Sequence, residues 1–337
     1  MRGVLLPAGD GIQALRAALA RDHTLFEVRG DGAAAGWVAV DPGMPFVWPE
    51  ARPLVSGKRF FFAPREELLK WAPDEITAVD PVPEPIALFG VQSCDLTAIA
   101  YQDRFFADDP WYQRRRAAAF LVGLDCERAC PGGFCRDVDA GPFARTGFDL
   151  TLTALPEGRV LVTAGSDAGT HLLEAAGLRL QPADGATRAA YDAARARAEA
   201  TFPARPEVRR TIERIDARTV PDAEWHELGP SCFACTGCTN LCPTCSCFTT
   251  VDEGGPDRGT RVRLWDSCLL DGFQREASGH NPSPHPGDRV RRFWTHKLAA
   301  TFVVDCGRLG CVGCGRCDVT CPGSIGALRV MGRLGVE

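Results

Sequence analysis

Residues 232–243 read CFACTGCTNLCP and residues 311–322 read CVGCGRCDVTCP, two runs of one design. Each spaces its cysteines C-x2-C-x2-C-x3-C and ends on proline: Cys232, Cys235, Cys238 and Cys242 before Pro243, then Cys311, Cys314, Cys317 and Cys321 before Pro322. A [4Fe-4S] cube takes a thiolate at each of four corners; a C-x2-C-x2-C loop wraps three, and the other run lends the fourth. The expected sets are Cys232, Cys235 and Cys238 with Cys321, and Cys311, Cys314 and Cys317 with Cys242. Zinc would use paired C-x2-C knuckles, or cysteine mixed with histidine, around one tetrahedral ion. Neither run holds a histidine, and a fourth cysteine before proline is not a zinc spacing, so iron and sulfide are preferred to zinc or disulfides.

Residues 243–310 part the two runs. A compact two-cluster ferredoxin leaves far less, so the gap favours a mainly helical dicluster domain, with helices over Asp266 to Glu276 and Val290 to Phe302 and a Pro/Gly loop over Gly279 to Gly287. Four further cysteines fall in the gap: Cys245, Cys247, Cys268 and Cys306. They read as structural thiols beside the clusters, although Cys245 and Cys247 stand close enough to the first run to replace a ligand. His296, Lys297, Arg308 and Arg316 are placed to tune a cluster by hydrogen bonds or positive charge.

Upstream, Ile12 to Ala20 has helical spacing, and His23 to Val28 and Trp37 to Val40 read as strands. Lys58 to Phe62 reads as a further strand, ending at Pro64 where a helix opens with Glu66 and Glu67. Ile86 to Val91 and Ala117 to Leu124 are nearly continuous apolar runs, as in a parallel sheet covered on both faces. Between them lies a helix from Leu96 to Phe106, with Ser93 or Asp95 as cap. Such a crossover makes the strands parallel, so Cys94 and Cys126 meet at their carboxyl edge. Cys130 and Cys135 follow in a loop with Pro131, Gly132 and Gly133. Four thiolates there would hold a third [4Fe-4S] cluster, and the same spacing also suits buried free thiols or a redox pair.

Phe148 to Thr153 and Val160 to Ala164 read as strands, and Asp167 to Ala176 as a helix capped by Ser166 or Asp167. Thr187 to Ala200 and Glu207 to Ala217 are helical with little apolar face, as in a surface connector. The fold class is thus an α/β domain with a parallel or mixed sheet over residues 1–185, a connector over 186–222, and a mainly helical dicluster domain over 223–337.

The chain has 337 residues, 45% hydrophobic and 24% charged, the composition of a soluble globular protein. A formal net charge of −5 counts against nucleic acid as a partner, and so against a zinc-ribbon module. Sixteen cysteines without an export signal or a membrane-length apolar run point to reduced, cytoplasmic thiols. No Gly-x-Gly-x-x-Gly follows a strand, so a nucleotide would be bound elsewhere.

Several stretches together resemble the beta subunit of soluble sulfhydrogenases and the iron–sulfur electron-transfer subunit of anaerobic sulfite reductases. They are Ser56 to Phe62, Phe89 to Leu96, Tyr112 with Arg115, Phe134-Cys135, Gly147 with Asp149-Leu150, Cys242 to Cys245, His296 to Leu298 and Gly310 to Cys317. The likeness spans about residues 55 to 325. It implies an electron-transfer protein without catalysis of its own, beside a flavin subunit that exchanges hydride with NAD(P)H and a terminal nickel–iron hydrogenase or a sulfite or sulfur reductase. It also implies the third cluster on Cys94, Cys126, Cys130 and Cys135. The rival reading is a thiol-based reductase in which Cys94, or the pair Cys245 and Cys247, attacks substrate sulfur.

Overall fold

A computed structural model describes residues 2–50 and 52–335. The chain opens with β1 (Arg2–Pro7), α1 (Ala8–Leu19), β2 (Thr24–Arg29) and β3 (Gly36–Ala39). The pair β4 (Arg65–Ala72) and β5 (Glu75–Ala78) precedes the central crossover of β6 (Ile86–Gln92), α2 (Ser93–Phe105), α3 (Pro110–Ala117) and β7 (Ala119–Leu124). Then come the hairpin of β8 (Leu150–Leu155) and β9 (Arg159–Ala164), α4 (Asp167–Ala175), and the short β10 (Gln181–Pro182).

Eight of these strands form one sheet in the order β10-β1-β9-β8-β7-β6-β2-β3. Its centre is parallel, β2 to β6 to β7 to β8, with antiparallel strands at both margins. Side chains alternate across a strand, so one apolar run serves two cores. Ala87, Phe89, Phe120 and Val122 face Leu15 and Leu19 of α1, while Leu88, Val91 and Leu121 face Leu96 and Ile99 of α2 and Tyr112 of α3.

The second half is rich in helices: α5 (Gly185–Ala200), α6 (Pro206–Asp216), α7 (Asp222–Leu228) and α8 (Gly237–Leu241), then β11 (Phe248–Gly254) and β12 (Gly259–Trp265), then α9 (Pro286–Leu298), α10 (Val303–Cys306), α11 (Arg316–Thr320) and α12 (Ala327–Leu334). Val208 and Ile215 of α6, Trp225 of α7, Trp294 of α9 and Met331 of α12 share one core with the cysteine loops. The architecture is therefore an α/β domain with a mixed sheet, followed by a helix-rich region that carries both cysteine runs.

Several local expectations fail, each because a distant partner outweighs local preference. Residues 65–72 carry Glu66 and Glu67 where the sequence predicts the opening of a helix, yet they form β4 in a second sheet ordered β11-β12-β4-β5. In that sheet Arg263 stands directly opposite Glu66, and its buried guanidinium binds both Glu66 and Asp109. The gap between the runs thus contains an antiparallel hairpin, and Asp266 to Glu276 holds only a 3-10 turn at Asp271–Gln274. Lys58 to Phe62 is a 3-10 turn, Gly57–Phe60, followed by the buried Phe61 and Phe62, and not a strand.

Neither Ser93 nor Asp95 caps α2, whose N-cap is Gln92 without a side-chain bond. The Asp95 carboxylate is engaged by Arg316, whose Nη1 and Nη2 donate to Oδ1 and Oδ2 at 2.6 and 2.7 Å. Both side chains are out of water, Arg316 1% and Asp95 3% exposed, and Arg316 also donates to the Pro53 carbonyl. Removing one partner strands the other charge. Asp95→Ala is expected to cost about 3–5 kcal/mol in urea unfolding of the anaerobic protein, and the double variant Asp95→Ala with Arg316→Met, which removes both charges, to recover most of it.

Candidate iron–sulfur centres

Cys232 follows the 3-10 turn Gly229–Ser231, and Cys238 lies in α8. Between them Ala234 and Thr236 take φ of +50° and +63°, so the backbone curls around what the loop encloses, with Cys235 at the surface. Cys321 ends α11, which packs beside α8. The four thiols line one pocket whose other walls include Leu269, Val290, Phe293 and Trp294. Burial pushes the Cys238 thiol up to about 12, and its neighbours Cys232, Cys242, Cys321 and Cys235 act in the same direction.

The second run is shaped by glycines. Gly313 and Gly315 have φ of +60° and +72°, open to a residue without Cβ. A methyl group on Gly313 would lie 2.6 Å from the Cys135 nitrogen, and one on Gly315 2.2 Å from the Gly132 carbonyl oxygen. The two loops touch backbone to backbone, joined by a 2.7 Å bond from the Phe134 amide to the Gly313 carbonyl. Burial pushes the Cys311 thiol up to about 12, with Cys314 and Cys242 among its neighbours, and Cys317 lies against Cys314 and Cys311.

At the sheet edge, Gln92 of β6 and Leu124 of β7 are register partners, and Cys94 and Cys126 each follow two residues on. Burial raises both thiols; Cys94 faces Cys135 and Cys314, while Cys126 faces Cys130 and Cys135. Cys135 thus lies among Cys94, Cys126, Cys130 and Cys314 at the sheet edge, and Cys238 among Cys232, Cys235, Cys321 and Cys242.

Cys94, Cys126, Cys238, Cys311 and Cys317, raised by burial, carry no charge until a cation displaces the proton, whereas the hydrogen bond with Cys245 already holds the Cys242 thiol well below the usual range. Among the described residues, no three His, Cys, Asp or Glu side chains are gathered so as to hold a single metal ion.

Two ammonium groups lie beside this array. Lys297, 3% exposed, donates to Thr244 Oγ1 at 2.9 Å; burial alone would lower its pKa, but Cys242 and Cys245 outweigh that and hold it well above the usual range. Lys58, 4% exposed, donates to the Cys245 carbonyl at 3.1 Å and sits 4.1 Å above the Trp265 ring, with its pKa lowered to about 8 by burial. Sequence patterning places Lys58 in a strand and misses this role; neither its spacing nor its neighbours signal a buried amine. Arg316 does touch Cys314 electrostatically, but Asp95 neutralises it locally. Arg308 spends its donors on the carbonyls of Val138, Asp139 and Cys311. His296 supplies no positive charge near neutral pH, because burial, with Lys297 beside it, lowers its pKa to about 4.

The other four thiols each find a partner. Cys245 is within hydrogen-bonding reach of Cys242, Cys247 of Cys268, and Cys306 of the Tyr101 hydroxyl. Cys94, the nucleophile of the rival reading, is buried and raised, the wrong state for attack.

This fold and these thiols define an iron–sulfur protein of the dicluster kind, and residues 231–325 match the family model described as 4Fe-4S dicluster domain, which implies two [4Fe-4S] sites and an electron-carrying role. The chain is 33% identical over 292 residues to sulfhydrogenase 2 subunit beta of Pyrococcus furiosus, a match covering 83% of each protein. The chain belongs to the family of sulfhydrogenase beta subunits. No solved structure matches it. No helix among the described residues is long and apolar enough to cross a membrane.

The half-buried imidazole of His296 sets a pH dependence. Between about 6.5, the ordinary histidine value, and about 4, the unfolded chain takes up a proton that folded His296 refuses, so this contribution to stability is lost as pH falls through that window. Melting temperatures of the anaerobic protein across pH 7 to 4.5 are expected to fall less steeply in His296→Gln than in the wild type.

Proposed function

We propose that this chain is the electron-transfer subunit of a cytoplasmic hydrogenase complex, passing electrons between a flavin subunit served by NAD(P)H and a nickel–iron catalytic subunit, with no turnover of its own. In this reading Cys232, Cys235, Cys238 and Cys321 hold one [4Fe-4S] cluster, Cys311, Cys314, Cys317 and Cys242 the second, and Cys94, Cys126, Cys130 and Cys135 a third. When bound, such clusters accept and release one electron at a time. The observation that carries the proposal is continuity: Cys242 adjoins the first set and Cys314 adjoins the third, so the middle set has a neighbour on either side. The residues around them do the rest. Apolar side chains line part of the hollow of the first set, and Lys297 and Lys58 place positive charge beside Cys242 and Cys245.

A sulfite or sulfur reductase as the terminal partner fits the same three sets and differs only in what docks. The thiol-reductase reading keeps one supporting observation: Cys247 is lowered to about 6, chiefly by its hydrogen bond with Cys268, and would be thiolate at neutral pH. That reading requires the isolated chain to reduce a disulfide or polysulfide; the relay reading requires partners.

Iron and acid-labile sulfide counting on anaerobically purified protein is expected to give about twelve iron atoms per chain, falling to about eight in Cys126→Ala; about eight in both would leave only two clusters. Lys297→Met, which deletes a charge and keeps the stem, is expected to lower one cluster's midpoint potential by about 59 mV or more in an EPR-monitored titration, one tenfold step for a one-electron couple.

A further inference from the structure

A cavity of about 280 Å³ opens between one face of α2, the loop after Asp139, the end of α5 and the turn after α10, apart from the hollow of the first cysteine set. Four guanidinium groups reach it: Arg104, Arg145, Arg195 and Arg308. Two are spoken for by carboxylates in the same wall, Arg145 by Asp139 at 3.0 Å and Arg195 by Glu199 at 2.8 Å. Arg104 and Arg308 have no carboxylate within ion-pair distance among the described residues. This leaves a concave surplus of positive charge on a chain whose net charge is −5.

The two unpaired arginines differ. Arg308 is held by backbone carbonyls and forms a fixed wall. Arg104 is held by none among the described residues, and its guanidinium lies where a side chain on residue 307 would be: a methyl on Gly307 would come within 1.5 Å of Arg104 Nη1. Gly307, at φ +72°, thus leaves room for a cation whose donors are uncommitted. Hydroxyls complete the lining, from Thr97, Tyr101 and Thr146.

We infer that this cavity binds a small oxyanion of the phosphate class, with Arg104 as its hydrogen-bonding fork and Arg308, held by backbone carbonyls, as a fixed positive charge in the wall. Guanidinium forks match tetrahedral oxyanions in shape and charge, and a dianion would balance the two unpaired cations. The volume lies at the lower end of ligand pockets, enough for phosphate or a phosphate ester and little more. The site is independent of the cluster assignment, since none of the twelve proposed cluster-binding cysteines lines it.

The test is calorimetric titration of the full-length, anaerobically purified chain in low-chloride buffer, with inorganic phosphate and adenosine 5′-monophosphate as probes. Saturable binding is expected, weakened about tenfold or more in Arg104→Ala and partly restored in Arg104→Lys. Tighter binding of the nucleotide identifies a phosphate ester as the ligand, and equal or tighter binding of phosphate a free oxyanion. No saturable binding of either probe, or equal binding by wild type and Arg104→Ala, overturns the proposal.

Discussion

The buried bidentate pair between Arg316 and Asp95 pins the second cysteine run to the head of α2. Arg316 sits inside the second cysteine run, between Cys314 and Cys317, and Asp95 directly follows Cys94 at the head of α2. Two ions withdrawn from water hold their places only when each satisfies the other in good geometry, so the pair specifies position more than it adds net stability. The Pro53 and Leu54 carbonyls accept from Nε, and Pro53 also from Nη2. The charge that acts on Cys314 and Cys94 thereby also aligns the second cysteine run with α2.

Electrostatics elsewhere follow from that division of labour. Lys58 and Lys297 face sulfur without a carboxylate among their principal electrostatic partners, so their charge is left for the thiols. Burial of cationic groups next to anionic ligands stabilises both, and the net charge at a cluster is one determinant of its potential. Strand β4, helix-like when its sequence is read alone, belongs to this scheme, because its partner β12 leads straight into Trp265, over whose ring Lys58 rests.

The sheet was legible wherever one strand satisfied a single rule. Ile86 to Val91 and Ala117 to Leu124 are apolar without interruption because both faces are covered, and from that follow the crossover and the meeting of Cys94 with Cys126. The cysteine runs were legible because ligand spacing is a local property. What escaped was decided at long range: Glu66 enters a strand to meet Arg263, nearly two hundred residues away in the chain, and the hairpin at 248–265 is polar on its exposed side and lacks strong alternation. Lys58 escaped for the same reason, since its environment is assembled from Thr239, Cys245 and Trp265.

The glycine contact between the loops at 132–135 and 313–315 bears on how the protein is made. One wall of the sheet-edge thiol group is main chain of residues 313–315, far along the chain from residues 94–135. A ribosome delivers residues 94–135 long before residue 313 exists, so a nascent chain presents those early thiols with a side still open. The sheet-edge thiols therefore reach their finished surroundings only once residues 313–315 have been made and have folded against them.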